Sequence, residues 1–134
     1  MTHGDHPNCL LILQCWQAAG QGDPDTLRAL WAENIVWHVT ANTPWRGDHV
    51  GQEAVLEYLA QVGDLEDPYD LTLQAVFAND DYGVVVFHVE TQRDGHSLSV
   101  DQILFGRFEE RRIAEIWTFS LDAQAIEEFW NDMR

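Results

Sequence analysis

Four stretches decide the fold: LTLQAVFA (residues 71–78), GVVVFHVETQ (83–92), LSVDQILFGRF (98–108) and RIAEIWTF (112–119). They are rich in β-branched and aromatic residues and repeat with a period of two, the signature of strands. Asn79-Asp80-Asp81, Arg93-Asp94-Gly95 and Glu109-Glu110-Arg111 separate them. Those breaks are of hairpin length, so the spacing predicts an antiparallel sheet.

Upstream the period changes to that of a helix. Leu11, Cys15, Ala18 and Ala19, with Trp16 alongside, predict an amphipathic helix from Asn8 to the Gly20-Gln21-Gly22 breaker. Asp23-Pro24 then reads as an N-cap and first helical position, with Leu27, Leu30 and Trp31 as the buried stripe. IVWHV (35–39) reads as a strand and Thr40 to Asp48 as a loop. Gly51-Gln52-Glu53 opens a third helix that buries Val55, Leu56, Leu59 and Val62, and Asp64 to Asp70 is a solvated acidic connection. Asp122 caps a short last helix with Ile126, Phe129 and Trp130 on its buried face. Residues 1–7 read as a flexible, polar lead-in, and the whole of 1–134 as a single α+β domain.

Composition excludes several functions. The chain has 134 residues, with 7 basic and 23 acidic side chains and a formal charge of −16. Such a polyanion does not bind phosphate backbones or anionic membrane surfaces, so neither nucleic acid nor membrane is an expected partner. At 46% hydrophobic residues it is globular rather than disordered. Cys9 and Cys15 read as free thiols of a reducing, cytoplasmic compartment. There is no metal-ligand spacing, phosphate loop, GxGxxG or GxSxG, so no metal or cofactor is expected.

Three motifs, in order, resemble the nuclear transport factor 2-like superfamily in its SnoaL-like and ketosteroid-isomerase-like branch. They are GDPDTLRALWA (22–32), IVWHV (35–39) continued by Gly47, Gly51 and Glu53, and RFEERRIAEIW (107–117). The resemblance implies a conical barrel of a curved antiparallel sheet wrapped round N-terminal helices. It also implies a homodimer and a pocket for a small apolar, often polycyclic, molecule. The working residues of the ketosteroid isomerases do not carry over. Cys15 stands where the oxyanion-hole tyrosine is expected, and Val39 where the base is expected. The second acid falls on Leu104 or Asp101 according to the direction of counting, and a bulge at Gly106 would reconcile the two. Thr118 follows Trp117, where the polyketide cyclases carry their acid.

Three other titratable groups could supply acid–base chemistry. Asp101 sits in an apolar strand, where an ionised carboxylate is costly to bury unpaired. Glu115 alternates with Ile113, Trp117 and Phe119 and so could project into the cone. His38 has a side chain suited to proton transfer near neutral pH, although alternation with Trp37 and Val39 points it into the other layer. Each also has a structural reading: a strand-end aspartate, a rim glutamate and an interface histidine. Trp37, Val39, Cys15, Tyr58, Phe105, Trp117 and Phe119 are the expected pocket walls and Trp45 a lid.

Three functions stay open. The first is a cofactor-independent isomerase, cyclase or dehydratase using Asp101 with His38 or Glu115. The second is a non-catalytic small-ligand module. The third is a dimeric interaction module that presents Ile116 and Leu104 on the sheet's outer face.

Overall fold

The computed structural model describes residues 2–65, 69–93 and 95–131. Of the expected acidic connection Asp64 to Asp70, residues 66–68 lie outside this set, as does Asp94 in the second turn.

The chain runs β1 (Thr2–His3), α1 (Pro7–Gln21), α2 (Pro24–Leu30), β2 (Trp31–Val39), β3 (Gly47–Val50), α3 (Gln52–Leu65) and β4 (Tyr69–Ala78). It continues through β5 (Tyr82–Arg93), β6 (His96–Glu109) and β7 (Arg112–Ser120) to α4 (Ala123–Asn131). One seven-stranded sheet has the order β1-β4-β5-β6-β7-β2-β3. The meander β4–β7 is antiparallel throughout. The sheet as a whole is mixed rather than antiparallel, because β2 runs parallel to β7 and β1 parallel to β4. The helices gather on one face, giving an open α+β cone.

Local chemistry explains most boundaries. Pro7 occupies the first turn of α1, where a missing N–H costs nothing, and His6 Nδ1 accepts from the Asn8 N–H at 3.0 Å. Gly22 ends α1 at φ +65°, a left-handed cap that glycine adopts without a Cβ penalty. Asp23 caps α2 by accepting from the N–H of Thr26 (3.2 Å) and its hydroxyl (2.6 Å). Trp31 starts β2 instead of ending the helical stripe, and is 2% exposed. Gly47 and Asp48, expected as the end of a loop, instead open the short strand Gly47–Val50 that pairs with β2.

The lead-in touches the sheet. Thr2 and His3 pair with Ala75 and Val76, the Gly4 N–H donates to the Val76 carbonyl (2.9 Å), and His6 Nε2 meets Asp80 at 2.8 Å. Ile35, Val55 and Val76 are fully buried between the helices and the sheet. Burying each such side chain stabilises the fold by roughly 1.5–3 kcal/mol. At Gly83 a Cβ would lie 2.6 Å from Ile12 Cδ1, so glycine lets α1 sit close on β5.

One irregularity governs the site. Phe108 pairs with Ile113, but Arg107 pairs with Glu115, so Ala114 is an extra residue and β7 is bulged there. Gly106 pairs regularly with both neighbouring strands and carries no bulge.

Candidate functional site

Between the helices and the inner face of the sheet lies a cavity of about 860 Å³. Its walls are Ile12, Cys15 and Trp16 of α1, Leu27 of α2, Leu56, Tyr58, Leu59 and Val62 of α3, and Ile126 and Trp130 of α4. The sheet contributes Trp37 and Val39, Val85 and Phe87, Gln102 and Leu104, and Ile116 and Thr118. Trp37 packs edge-on against Tyr58 at 5.6 Å. Trp45 packs edge-on against Trp130 at 4.8 Å, and its indole N–H donates to Gln61 Oε1 at 3.2 Å.

Among the described residues the lining holds no histidine, and its charged groups sit on the α2 side. Hydrogen bonds from the Thr26 hydroxyl and N–H hold the Asp23 carboxyl below its ordinary value. Arg28 is bonded to Glu53 (2.9 Å) and Asp25 (2.9 Å). Burial pushes the Cys15 thiol up to about 12, so it is neutral at physiological pH. Thr118 Oγ1 accepts the indole N–H of Trp37 at 2.7 Å.

The other face of the sheet is chemically different. His38 is held at both nitrogens, Nδ1 to Asp48 Oδ1 at 2.6 Å and Nε2 to Glu115 Oε2 at 2.5 Å. Arg107 reaches the other oxygen of Glu115 at 3.2 Å. Burial opposes a charge on His38, but its two carboxylate partners outweigh burial and raise the imidazole above its ordinary value. Burial likewise opposes the Glu115 charge, and hydrogen bonds from His38 and Arg107 outweigh it and lower the carboxyl. His88 Nδ1 bonds Asp101 Oδ1 at 2.8 Å, and that bond, reinforced by Glu90, raises His88.

Ser99 Oγ lies 3.1 Å from His88 Nε2, which reproduces the order of a Ser-His-Asp relay. Glu90 competes for the same nitrogen at 3.2 Å, and Ser99 stands exposed on the open sheet face, away from the cavity. Between these two ionic groups runs an aromatic row. Tyr82 stacks on Phe105 (5.4 Å), Phe105 meets Trp117 (5.7 Å), and Trp117 stacks on His38 (5.0 Å).

The structure places Cys15, Trp37, Val39, Trp45 and Tyr58 on the cavity wall. It does not bring Asp101, His38 and Glu115 there. The regular β5–β6 register pairs Asp101 with His88 and Phe105 with Val84, putting both on the outer face. The Ala114 bulge turns Glu115, Trp117 and Phe119 outward, although Ile113 faces in. The same bulge brings Ile116, expected outside, to the cavity, and the regular alternation of β6 places Leu104, also expected outside, there too. Gln102 and Ser120 are polar cavity positions that strand reading passed over, and Thr118, singled out only for the acid it lacks, joins them. The signal was an amide and two hydroxyls at the parity of Leu104 and Ile116.

The family follows from fold and sequence together. A model of the SnoaL-like domain matches residues 12–116, and the chain belongs to that family. No curated protein matches the sequence. Among solved structures it is similar to Bal32a from a soil-derived mobile gene cassette, at TM-score 0.85 and 26% identity over 92% of this chain and 95% of that one. It is also similar to TerC co-crystallised with polyporic acid, at TM-score 0.80 and 17% identity over 94% and 99% of the two chains. A SnoaL-like polyketide cyclase, so designated provisionally, from Jannaschia Sp. CCS1 matches at TM-score 0.79 and 15% identity over 95% and 96%. Among the described residues no helix is long and apolar enough to cross a membrane, and no three His, Cys, Asp or Glu side chains converge as metal ligands do.

Proposed function

We propose that the chain is a binding module for a small, largely apolar, ring-bearing molecule, held in the cavity without ionic catalysis. One observation carries this reading. The aromatic cavity of about 860 Å³ and the paired imidazole–carboxylate groups occupy opposite faces of the sheet. That volume lies within the range of small-molecule sites, which are mostly apolar with a few placed polar groups. General acid–base catalysis needs the proton-transfer group within hydrogen-bond reach of the substrate or one water away. His38, Glu115 and Asp101 are bonded to partners on the far side of the sheet from the cavity, and in this reading they fasten its strands together. A neighbour of the same fold, TerC, has been co-crystallised with a small organic molecule, polyporic acid, which favours a ligand-binding reading.

Titration with N-phenyl-1-naphthylamine, a neutral fluorescent probe, tests the proposal. Five tryptophans in the lining (Trp16, Trp31, Trp37, Trp45 and Trp130) would pass excitation energy to a probe held there. The reading expects saturable, one-to-one binding with energy transfer. A response that rises linearly with probe, as by surface partitioning, would overturn it.

A second copy of the chain is the proposed occupant of the outer face. The aromatic row is continuous there, and Tyr82 and Phe119 are 45% and 44% exposed, which is unusual for large side chains on a sheet centre. Sedimentation equilibrium should find a dimer at micromolar concentration that Phe119→Arg dissociates. A monomeric native chain under those conditions would contradict it.

A further inference from the structure

The cavity's polar groups are not scattered. On β6 and β7, Gln102 pairs directly with Ser120 and Leu104 with Thr118, so the Gln102, Ser120 and Thr118 side chains form one patch on the inner face. Directly paired residues have Cβ atoms about 5 Å apart and diagonal neighbours lie within reach of a long side chain. Beside this patch the lining is mostly apolar, and Thr40, the polar residue next to it, spends its hydroxyl proton on the Thr118 carbonyl at 2.5 Å.

Hydrogen-bond bookkeeping gives the patch a direction. An indole N–H can only donate, so the Thr118 oxygen is the acceptor in its 2.7 Å bond to Trp37. Ser120 Oγ in turn accepts the Asp122 N–H at 3.1 Å. Each hydroxyl has spent acceptor capacity and keeps its own proton. Among the described residues neither hydroxyl donates within the chain, and the Gln102 amide has no partner there. The Gln102 amide, which can present its N–H, and two hydroxyl protons therefore share one wall of a largely apolar space. Among the described residues no cation stands with them, because Arg28 lies on the α2 side, engaged by Glu53 and Asp25.

We infer that Gln102, Thr118 and Ser120 form a donor subsite that recognises a neutral acceptor oxygen, a carbonyl, on an apolar ring system, and disfavours a carboxylate at the same position. This deepens the ligand-binding reading above and rests on it. The subsite is separate from Cys15, Val39 and the Leu104/Asp101 pair, where the family resemblance located isomerase chemistry, and it includes Thr118, where the resemblance located the acid of the polyketide cyclases.

Displacement of N-phenyl-1-naphthylamine by three matched compounds tests the inference: fluorene, 9-fluorenone and 9-fluorenecarboxylate. The quantity read is the ratio of fluorenone to fluorene affinity, which removes differences in packing common to both. In Gln102→Leu that ratio should fall about fivefold, the value of one ordinary neutral hydrogen bond, while fluorene binding is kept. Thr118→Val should lower it similarly, which supplies a second arm if the first variant folds poorly. The carboxylate should displace the probe at least about tenfold more weakly than fluorenone, since burying an unpaired charge is disfavoured. A ratio unchanged in both variants, or a carboxylate that binds best, would overturn the subsite while leaving the cavity reading intact. Failure of the native protein to bind the probe at all would overturn the cavity reading, and the subsite with it.

Discussion

Ile113 and Glu115 lie two residues apart on β7 and face opposite sides of the sheet. Ile113 pairs with Phe108 and lines the cavity, whereas Glu115 pairs with Arg107 and bonds His38 on the outer face. Ala114, 4% exposed, is the residue that makes the half-turn.

Deleting Ala114 removes that half-turn and forces a choice on the strand. Either Glu115, Trp117 and Phe119 swing toward the cavity or the β6–β7 pairing slips. The deletion should cost several kcal/mol, against about 1 kcal/mol for Ala114→Gly, which keeps the count of residues. Thermal melts of both variants check this. Equal melting temperatures would show that the bulge does not set the facing of β7.

The His38–Glu115 pair predicts a pH window. The folded pKa of His38 lies above its ordinary 6.5, so the stabilisation from its charge is complete below that value and fades as pH rises through the folded one. Glu115 lies below its ordinary 4.5, so its contribution is complete above that value and fades as pH falls through the folded one. Both are at full strength between 4.5 and 6.5. The loss in melting temperature caused by His38→Gln should be largest in that window and smaller well above it, at about pH 9. Calorimetry at the two pH values decides, and a pH-independent loss would contradict the charged pair.

The β6–β7 hairpin is strained by its own sequence. Glu110 and Arg111 sit at φ 51° and 64°, a left-handed turn without glycine. That conformation costs an L-residue roughly 1–2 kcal/mol, and Asn-Gly is the sequence it prefers. Replacing Glu110 by Asn and Arg111 by Gly together should raise the melting temperature by about 3–6 °C. An unchanged or lower melting temperature would mean that the existing side chains compensate.

Cys15 lines the cavity with its thiol pushed up to about 12 by burial, and Cys9 is 1% exposed. Thiolate is the reactive form, so Ellman's reagent should react with the folded chain far more slowly than with the guanidinium-unfolded chain, where two thiols should titrate. Rapid reaction of one thiol in the folded state would show that Cys15 is open to solvent.

Much of the architecture was legible because it depends on local periodicity and caps. The four period-two stretches became β4–β7, Asp23-Pro24 began α2, and Asp122 Oδ1 accepts the Ala125 N–H at the start of α4. The parallel pairing of β2 with β7 was not legible, since nothing in IVWHV states which neighbour lies across a gap of some seventy residues. Side-chain facing along β7 failed for a different reason. A bulge adds one residue without a composition signal, and suspicion fell on Gly106 when the extra residue is Ala114. Strand alternation did place His38 opposite Trp37, where no bulge intervenes between the two. Asp101 looked anomalous in an apolar strand because its partner His88 stands on the neighbouring strand, thirteen residues away.

The central claim is that the ligand occupies the inner cavity and leaves the outer face unengaged. The dissociation constant of N-phenyl-1-naphthylamine, measured side by side for the native chain, Leu104→Trp and His38→Gln, tests it most directly. Leu104→Trp adds bulk inside the cavity and should weaken binding by about tenfold or more, roughly 1.4 kcal/mol. His38→Gln alters only the outer face and should leave the constant within about twofold. Weakened binding in His38→Gln with none in Leu104→Trp would contradict the account and move the site to the other side of the sheet.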